Sequence, residues 1–191
     1  SDRRDHRLGS ERGADADRVA QRDFLATHIF QGFSDMSDSA GRDLAFIHAK
    51  TAYAAAVARE FDHGAMFRAL RIEPYLLHTA TRHTDLAERL TALAGETLET
   101  AIALVHGDVS PKNILVGPEG PVFLDAECAW FGDPAFDLAF CLAHLVLKAV
   151  WRPELRAAYL AAFEALAETY LAAARWEPRA ALDAGAGALL A

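Results

Sequence analysis

The stretch His106–Asn113, His-Gly-Asp-Val-Ser-Pro-Lys-Asn, constrains the fold of this chain more than any other, because short apolar runs bracket it, ALV before and ILV after. Runs of this kind bounded by Gly and Pro read as strands. A loop held at both ends by strands points chosen side chains into one cleft, here Asp108 and, five residues later, Asn113. Gly117, Pro118, Glu119 and Gly120 then separate the outgoing strand from the run PVFLD, which predicts a hairpin. That hairpin returns Asp125 to the loop, twelve residues after Asn113.

The residue types suit one kind of chemistry. A carboxylate at Asp108 can orient a hydroxyl nucleophile. The Asn113 amide oxygen and the Asp125 carboxylate are hard oxygen donors, a fitting protein share for magnesium, which keeps several waters and takes its other ligands from nucleotide phosphates. Glu127 either assists there or is simply solvated.

Around this centre the pattern is helical. A helix is expected over Asp43–Phe61, preceded by small polar residues suited to capping. A second starts near Ala65 and is bent or interrupted around Pro74, and a third starts near Asp85. Asp133 followed by Pro134 marks a helix start whose continuation, FDLAFCLAHLVLKAV, must be buried nearly all round. Asp133 has a second reading, as a contributor to a substrate pocket. Further helical runs cover Pro153 to about Trp176 and a shorter stretch from Pro178 to Ala191.

With these residues in place, Val105–Ala139 resembles the aminoglycoside phosphotransferase and choline kinase superfamily, relatives of protein kinases, through HGDVSPKN, FLDAE and GDPAFDLA. The resemblance implies the helical C-terminal lobe of a protein-kinase-like fold, mostly α with a small β-hairpin (an α+β chain). It also implies ATP and Mg2+ as cofactors, a small-molecule hydroxyl acceptor, aminoglycoside- or metabolite-like, and phosphotransferase activity. Asp108 is then the catalytic base, His106 a residue that organises the loop, and Asn113 and Asp125 the metal ligands. Ser110, Lys112, Asn113 and Asp125 are the candidate nucleotide-binding residues; Lys112 either approaches phosphate or faces water. Ser110 stands where protein kinases usually carry lysine, which points to the small-molecule branch. Asp137 is implied to accept hydrogen bonds from the catalytic-loop backbone.

The resemblance spans about residues 40–190, and FIHAKTA looks like the first helix of that lobe. Such folds normally carry a strand-rich lobe with a glycine loop over the phosphates and a phosphate-pairing lysine. None of the glycines before the loop lies in a strand-turn-strand pattern, and the three lysines are Lys50, Lys112 and Lys148, none at the end of a strand before the loop. The expectation is therefore a domain over residues 23–191 behind a flexible charged tail, 1–22. An apolar face should be exposed where a β-lobe would pack, to be covered by self-association or by Phe24–Phe33.

Composition removes other classes. A net charge of −8 and a pI near 5.4 leave no broad basic surface, so a nucleic acid polymer is not an expected partner. No uninterrupted apolar run reaches the roughly 18 residues of a membrane span, and the first residues lack a signal peptide's apolar core, so a cytoplasmic location with no membrane partner is expected. Cys128 and Cys141 are expected as buried reduced thiols. His48, His78, His83 and His144 read as surface or satisfied core residues. Trp130, Phe131, Trp151 and Trp176 either line a pocket or pack in the core. Two other functions stay open: a catalytically silent lobe that binds a small molecule or a protein, and a metal-dependent hydrolase built on His106, Asp108 and Asp125.

Overall fold

Small side chains set the first helix. In a computed structural model, which describes residues 34–176 and 179–190, helix α1 occupies residues 34–51 and so begins well before Asp43. The small residues that read as caps form its packing face instead: Ser37 and Ala40 are buried, and a Cβ on Gly41 would stand 2.6 Å from the Leu166 carbonyl oxygen. The expected continuation to Phe61 is broken at Tyr53, which adopts a φ of 58° and donates its N–H to the Ile102 carbonyl at 2.8 Å. Alanine favours helix on both sides of the break, yet the hydrogen bond to a distant segment wins. Helix α2 follows at Ala55–Glu60.

Next, α3 (Gly64–Phe67), a π-helical stretch (Arg68–Leu77) and α4 (His78–Arg82) form one helical path, which contains Pro74. In an α-helix that ring would collide with the carbonyl four residues back, whereas the wider π turn admits it. The interruption expected at Pro74 is thus a change of register rather than a stop. Helix α5 covers Ala87–Glu99.

Four short strands follow: β1 (Ala103–Val105), β2 (Ile114–Gly117), β3 (Gly120–Phe123) and β4 (Trp130–Gly132). Strands β2 and β3 form the expected hairpin, with Gly117 opposite Gly120 and Pro118–Glu119 at its tip. Strand β4 lies outside the runs read as strands in the sequence; it pairs antiparallel with β1, Val105 opposite Trp130 and Ala103 opposite Gly132.

Asp133 caps helix α6 (Pro134–Trp151) by accepting a hydrogen bond from the Ala135 N–H at 2.9 Å. The N-terminal two-thirds of α6 is buried, but Leu147, Val150 and Trp151 are more than 60% exposed, so the helix is not covered all round. By length and composition α6 could cross a membrane, and 61% of it is buried within the fold; with Asp137 inside, it is the central core helix. A 3-10 turn (Pro153–Leu155), α7 (Arg156–Ala173) and α8 (Arg179–Leu190) complete the chain.

Two apolar cores result. One joins α1, α6, α7 and α8 around Leu44, Leu138, Leu166 and Tyr170. The other surrounds Phe67, Ile72, Trp130 and Phe136. The mostly helical fold with small antiparallel β elements agrees with the sequence reading. On the hairpin, Leu115, Val116 and Val122 are each more than half exposed. The expected tail, 1–22, and the proposed cover, Phe24–Phe33, lie outside the described residues.

Candidate active site

The loop between β1 and β2 runs from one core to the other. Val105 packs with Phe67 and Trp130, while Val109 and Ile114 pack with Leu138 and Leu142. Full burial of an aliphatic side chain is worth roughly 1.5–3 kcal/mol, so both ends of the loop are firmly anchored. At its turn Gly107 takes a φ of +79°, and a Cβ there would lie 3.0 Å from the Cys128 carbonyl oxygen, so only glycine fits.

Asp137 fixes the backbone of this turn. Its Oδ2 accepts the His106 N–H at 2.7 Å and its Oδ1 the Gly107 N–H at 2.8 Å. The carboxylate is fully buried, but it lies in the first turn of α6, where the helix dipole favours negative charge. The His48 Nε2 stands 3.2 Å from Asp137 Oδ2, and its Nδ1 stands 2.7 Å from the Tyr170 hydroxyl. His48 is therefore a satisfied core residue, and it links α1 and α7 to the loop.

Asp108 is 5% exposed. The Asn113 amide nitrogen donates to its Oδ2 at 2.8 Å and to its main-chain oxygen at 3.1 Å, which leaves the Asn113 amide oxygen turned away from the carboxylate. Arg71 Nη2 lies 3.1 Å from Asp108 Oδ2, and Arg71 Nε donates to the Gly107 carbonyl at 2.5 Å. The Lys112 ammonium reaches the same carboxylate oxygen at 3.4 Å from a side chain 67% exposed. An exposed pair of that kind contributes little; the Arg71 pair, with both partners largely buried, governs the carboxylate's orientation.

His106 acts on the backbone. Its Nδ1 accepts the Asp108 N–H at 3.2 Å, so the ring proton sits on Nε2, which is buried without a hydrogen bond among the described residues. Asp125 stands beyond β3 with a φ of 67°, a left-handed conformation that Asp tolerates better than most residues. It and Glu127 are exposed. The hairpin brings it back to the loop, since the Leu124 N–H donates to the Asn113 carbonyl at 2.8 Å.

The structure thus brings His106, Asp108, Lys112 and Asn113 together, with Asp125 at the returning end of the hairpin. Ser110 differs: it is fully buried, with its hydroxyl enclosed and without a hydrogen bond among the described residues, so it does not face the cleft. The aromatic quartet does not gather in one pocket, since Trp130 is core and Trp151 is 73% exposed. Both cysteines are free and buried; burial raises the Cys128 pKa and carries Cys141 to about 12, which keeps both thiols protonated. Burial also raises the Asp133 pKa, partly offset by the bond from Ala135. Sequence reasoning missed Arg71, and the irregular helix around Pro74 is the only local sign of a special position.

A family model described as "phosphotransferase enzyme family" matches residues 16–180, most of the chain. The chain belongs to the phosphotransferase enzyme family. The match starts nearer the N-terminus than the resemblance read from the motifs, and it places this member in the aminoglycoside phosphotransferase and protein-kinase-like superfamily. No curated protein matches the sequence. In this phosphotransferase, Asn113 and Asp125 present an amide oxygen and an exposed carboxylate, the hard donors that suit Mg2+. Among the described residues no cluster of three or more His, Cys, Asp or Glu forms a metal cage, so phosphate oxygens and water would have to supply the rest of the shell.

Proposed function

We propose that the chain transfers the γ-phosphate of ATP to a hydroxyl of a small molecule. The observation that carries this reading is the state of Asp108: a largely buried carboxylate, aimed by Arg71 and Asn113, on a loop whose backbone is pinned by Asp137. Phosphoryl transfer demands positioning and charge stabilisation more than covalent chemistry. Asp108 orients the acceptor hydroxyl and takes its proton as the acceptor oxygen bonds to phosphorus and ADP leaves with the electron pair. Arg71 holds Asp108 in place. Asn113 and Asp125 are the residues to hold Mg2+, whose chemistry at such a site is to neutralise phosphate charge. Lys112 lies close enough to the carboxylate to meet a phosphate oxygen entering the same cleft.

A second reading, a lobe that binds without turnover, draws on one feature: Arg71 and Lys112 both face Asp108 Oδ2, so its charge is already paired. A coupled ADP-release assay with Mg-ATP and a panel of alcohols separates the two. Turnover that falls in Asp108→Asn supports phosphotransfer; nucleotide binding with no ADP release for any alcohol supports the silent lobe.

A further inference from the structure

Next to the Arg71–Asp108 pair, a pocket of about 160 Å³ opens between the π-helical stretch and α6, walled by Tyr75, Phe136, Phe140, His144, Leu147 and, from α8, Leu189. The Phe140 ring lies 5.9 Å from the Arg71 guanidinium carbon, and that guanidinium is 3.1 Å from Asp108 Oδ2. One side chain therefore separates the pocket wall from the carboxylate. The same ring meets Tyr75 edge-on at 5.5 Å and His144 at 4.8 Å.

Size and charge limit what fits. A cavity of about 150 Å³ lined by Leu, Ile and Phe holds one benzene ring, so this pocket accepts a single ring and not a linked series. Its lining contains no carboxylate. His144 is the one side chain there that titrates near neutrality, and burial lowers its pKa further. The charges that act on it are Asp108, Lys148 and Lys112, and Asp108 is already paired to Arg71 and Lys112. A polycationic acceptor would meet cations without a carboxylate of its own to bind. Tyr75 and Leu147 stand 52% and 63% exposed at the rim, apolar area that an uncharged ring would cover.

We infer that this pocket is the acceptor subsite and that it takes an uncharged alcohol carried on one aromatic or alicyclic ring, not a polycationic aminoglycoside. The inference rests on the phosphotransfer reading above, with the ring lodged against Phe140 and Tyr75 and the hydroxyl directed past Arg71 to Asp108. The reaction balances as written there: the alcohol oxygen gains the phosphoryl group, ADP departs, and the hydroxyl proton passes to Asp108 and on to solvent.

Fluorine NMR of 4-fluorobenzyl alcohol with the full chain tests it, because binding is read without turnover. The wild type is expected to broaden the fluorine signal. Leu147→Trp, which fills the mouth, and Tyr75→Ala should each weaken that binding by about tenfold or more. Both sites are exposed, so melting temperature and Mg-ATP affinity serve as controls and should stay unchanged, and kanamycin should not displace the alcohol. No broadening by the wild type, binding by both variants as tight as the wild type's, or displacement by kanamycin overturns the inference. Failure of the phosphotransfer reading shows separately, as no ADP release for any alcohol in the coupled assay while the alcohol still binds.

Discussion

Asp108 and Asp125 sit at the two ends of one short segment, and the protein treats them in opposite ways. Asp108 is almost fully buried and engages Arg71, Lys112 and Asn113. Asp125 is exposed, has no hydrogen bond among the described residues, and is aimed by an unusual backbone angle alone. The first carboxylate is organised before any ligand arrives, as a group that must orient a nucleophile requires. The second is left open, as a group that shares a cation with phosphate oxygens requires.

Removing the charge of the organised carboxylate should have the largest effect. Asp108→Asn keeps the shape and is expected to lower kcat by about 10²–10⁴-fold, with Mg-ATP affinity retained; steady-state kinetics with the nucleotide dissociation constant measured separately checks this. Next comes the support beneath it. Asp137→Ala leaves the His106 and Gly107 N–H groups and His48 without their acceptor, and a buried polar site broken in this way costs about 3–5 kcal/mol. Urea unfolding should show a lower midpoint at constant m-value, and an unchanged midpoint would break the claim that the loop is pinned from below.

The open carboxylate makes the comparison sharper. A left-handed residue other than glycine carries about 1–2 kcal/mol of strain, so Asp125→Gly should be more stable than Asp125→Ala by about 1 kcal/mol, while both lose Mg-ATP binding. Equal stability of the two variants would mean that the backbone does not aim Asp125.

The smallest effect concerns pH. Burial lowers the His144 pKa below its ordinary 6.5, Asp108 pulls it back up, and Lys148 and Lys112 push it further down. A depressed pKa in the folded state means that the unfolded chain binds the proton more readily. The stabilisation from neutral His144 is therefore present above the unfolded pKa and is lost as pH falls through the folded one. Melting temperatures between pH 7.5 and 5 should fall more for the wild type than for His144→Gln, and parallel curves would rule out this contribution.

Local pattern revealed much of this molecule. Strands around a Gly-Asp turn, a Gly-Pro-Glu-Gly hairpin and an Asp-Pro helix start are short-range devices, and each forms as its residues suggest. What stayed hidden depends on distant partners. Arg71 reaches Gly107 across 36 positions from a helix that also carries the unremarkable Arg68. Tyr53 breaks an alanine-rich helix because Ile102 accepts its N–H. The buried face of Ser37, Ala40 and Gly41 mimics capping residues in sequence because small side chains serve both purposes.

The central claim, that the chain divides its site between a carboxylate for the acceptor and a carboxylate for the metal nucleotide, is tested most directly by calorimetric titration of Mg-ATP into the wild type, Asp108→Asn and Asp125→Ala. The expected result is equal binding by the wild type and Asp108→Asn, with binding lost in Asp125→Ala. Loss in both variants alike, or retention in Asp125→Ala, would contradict the division.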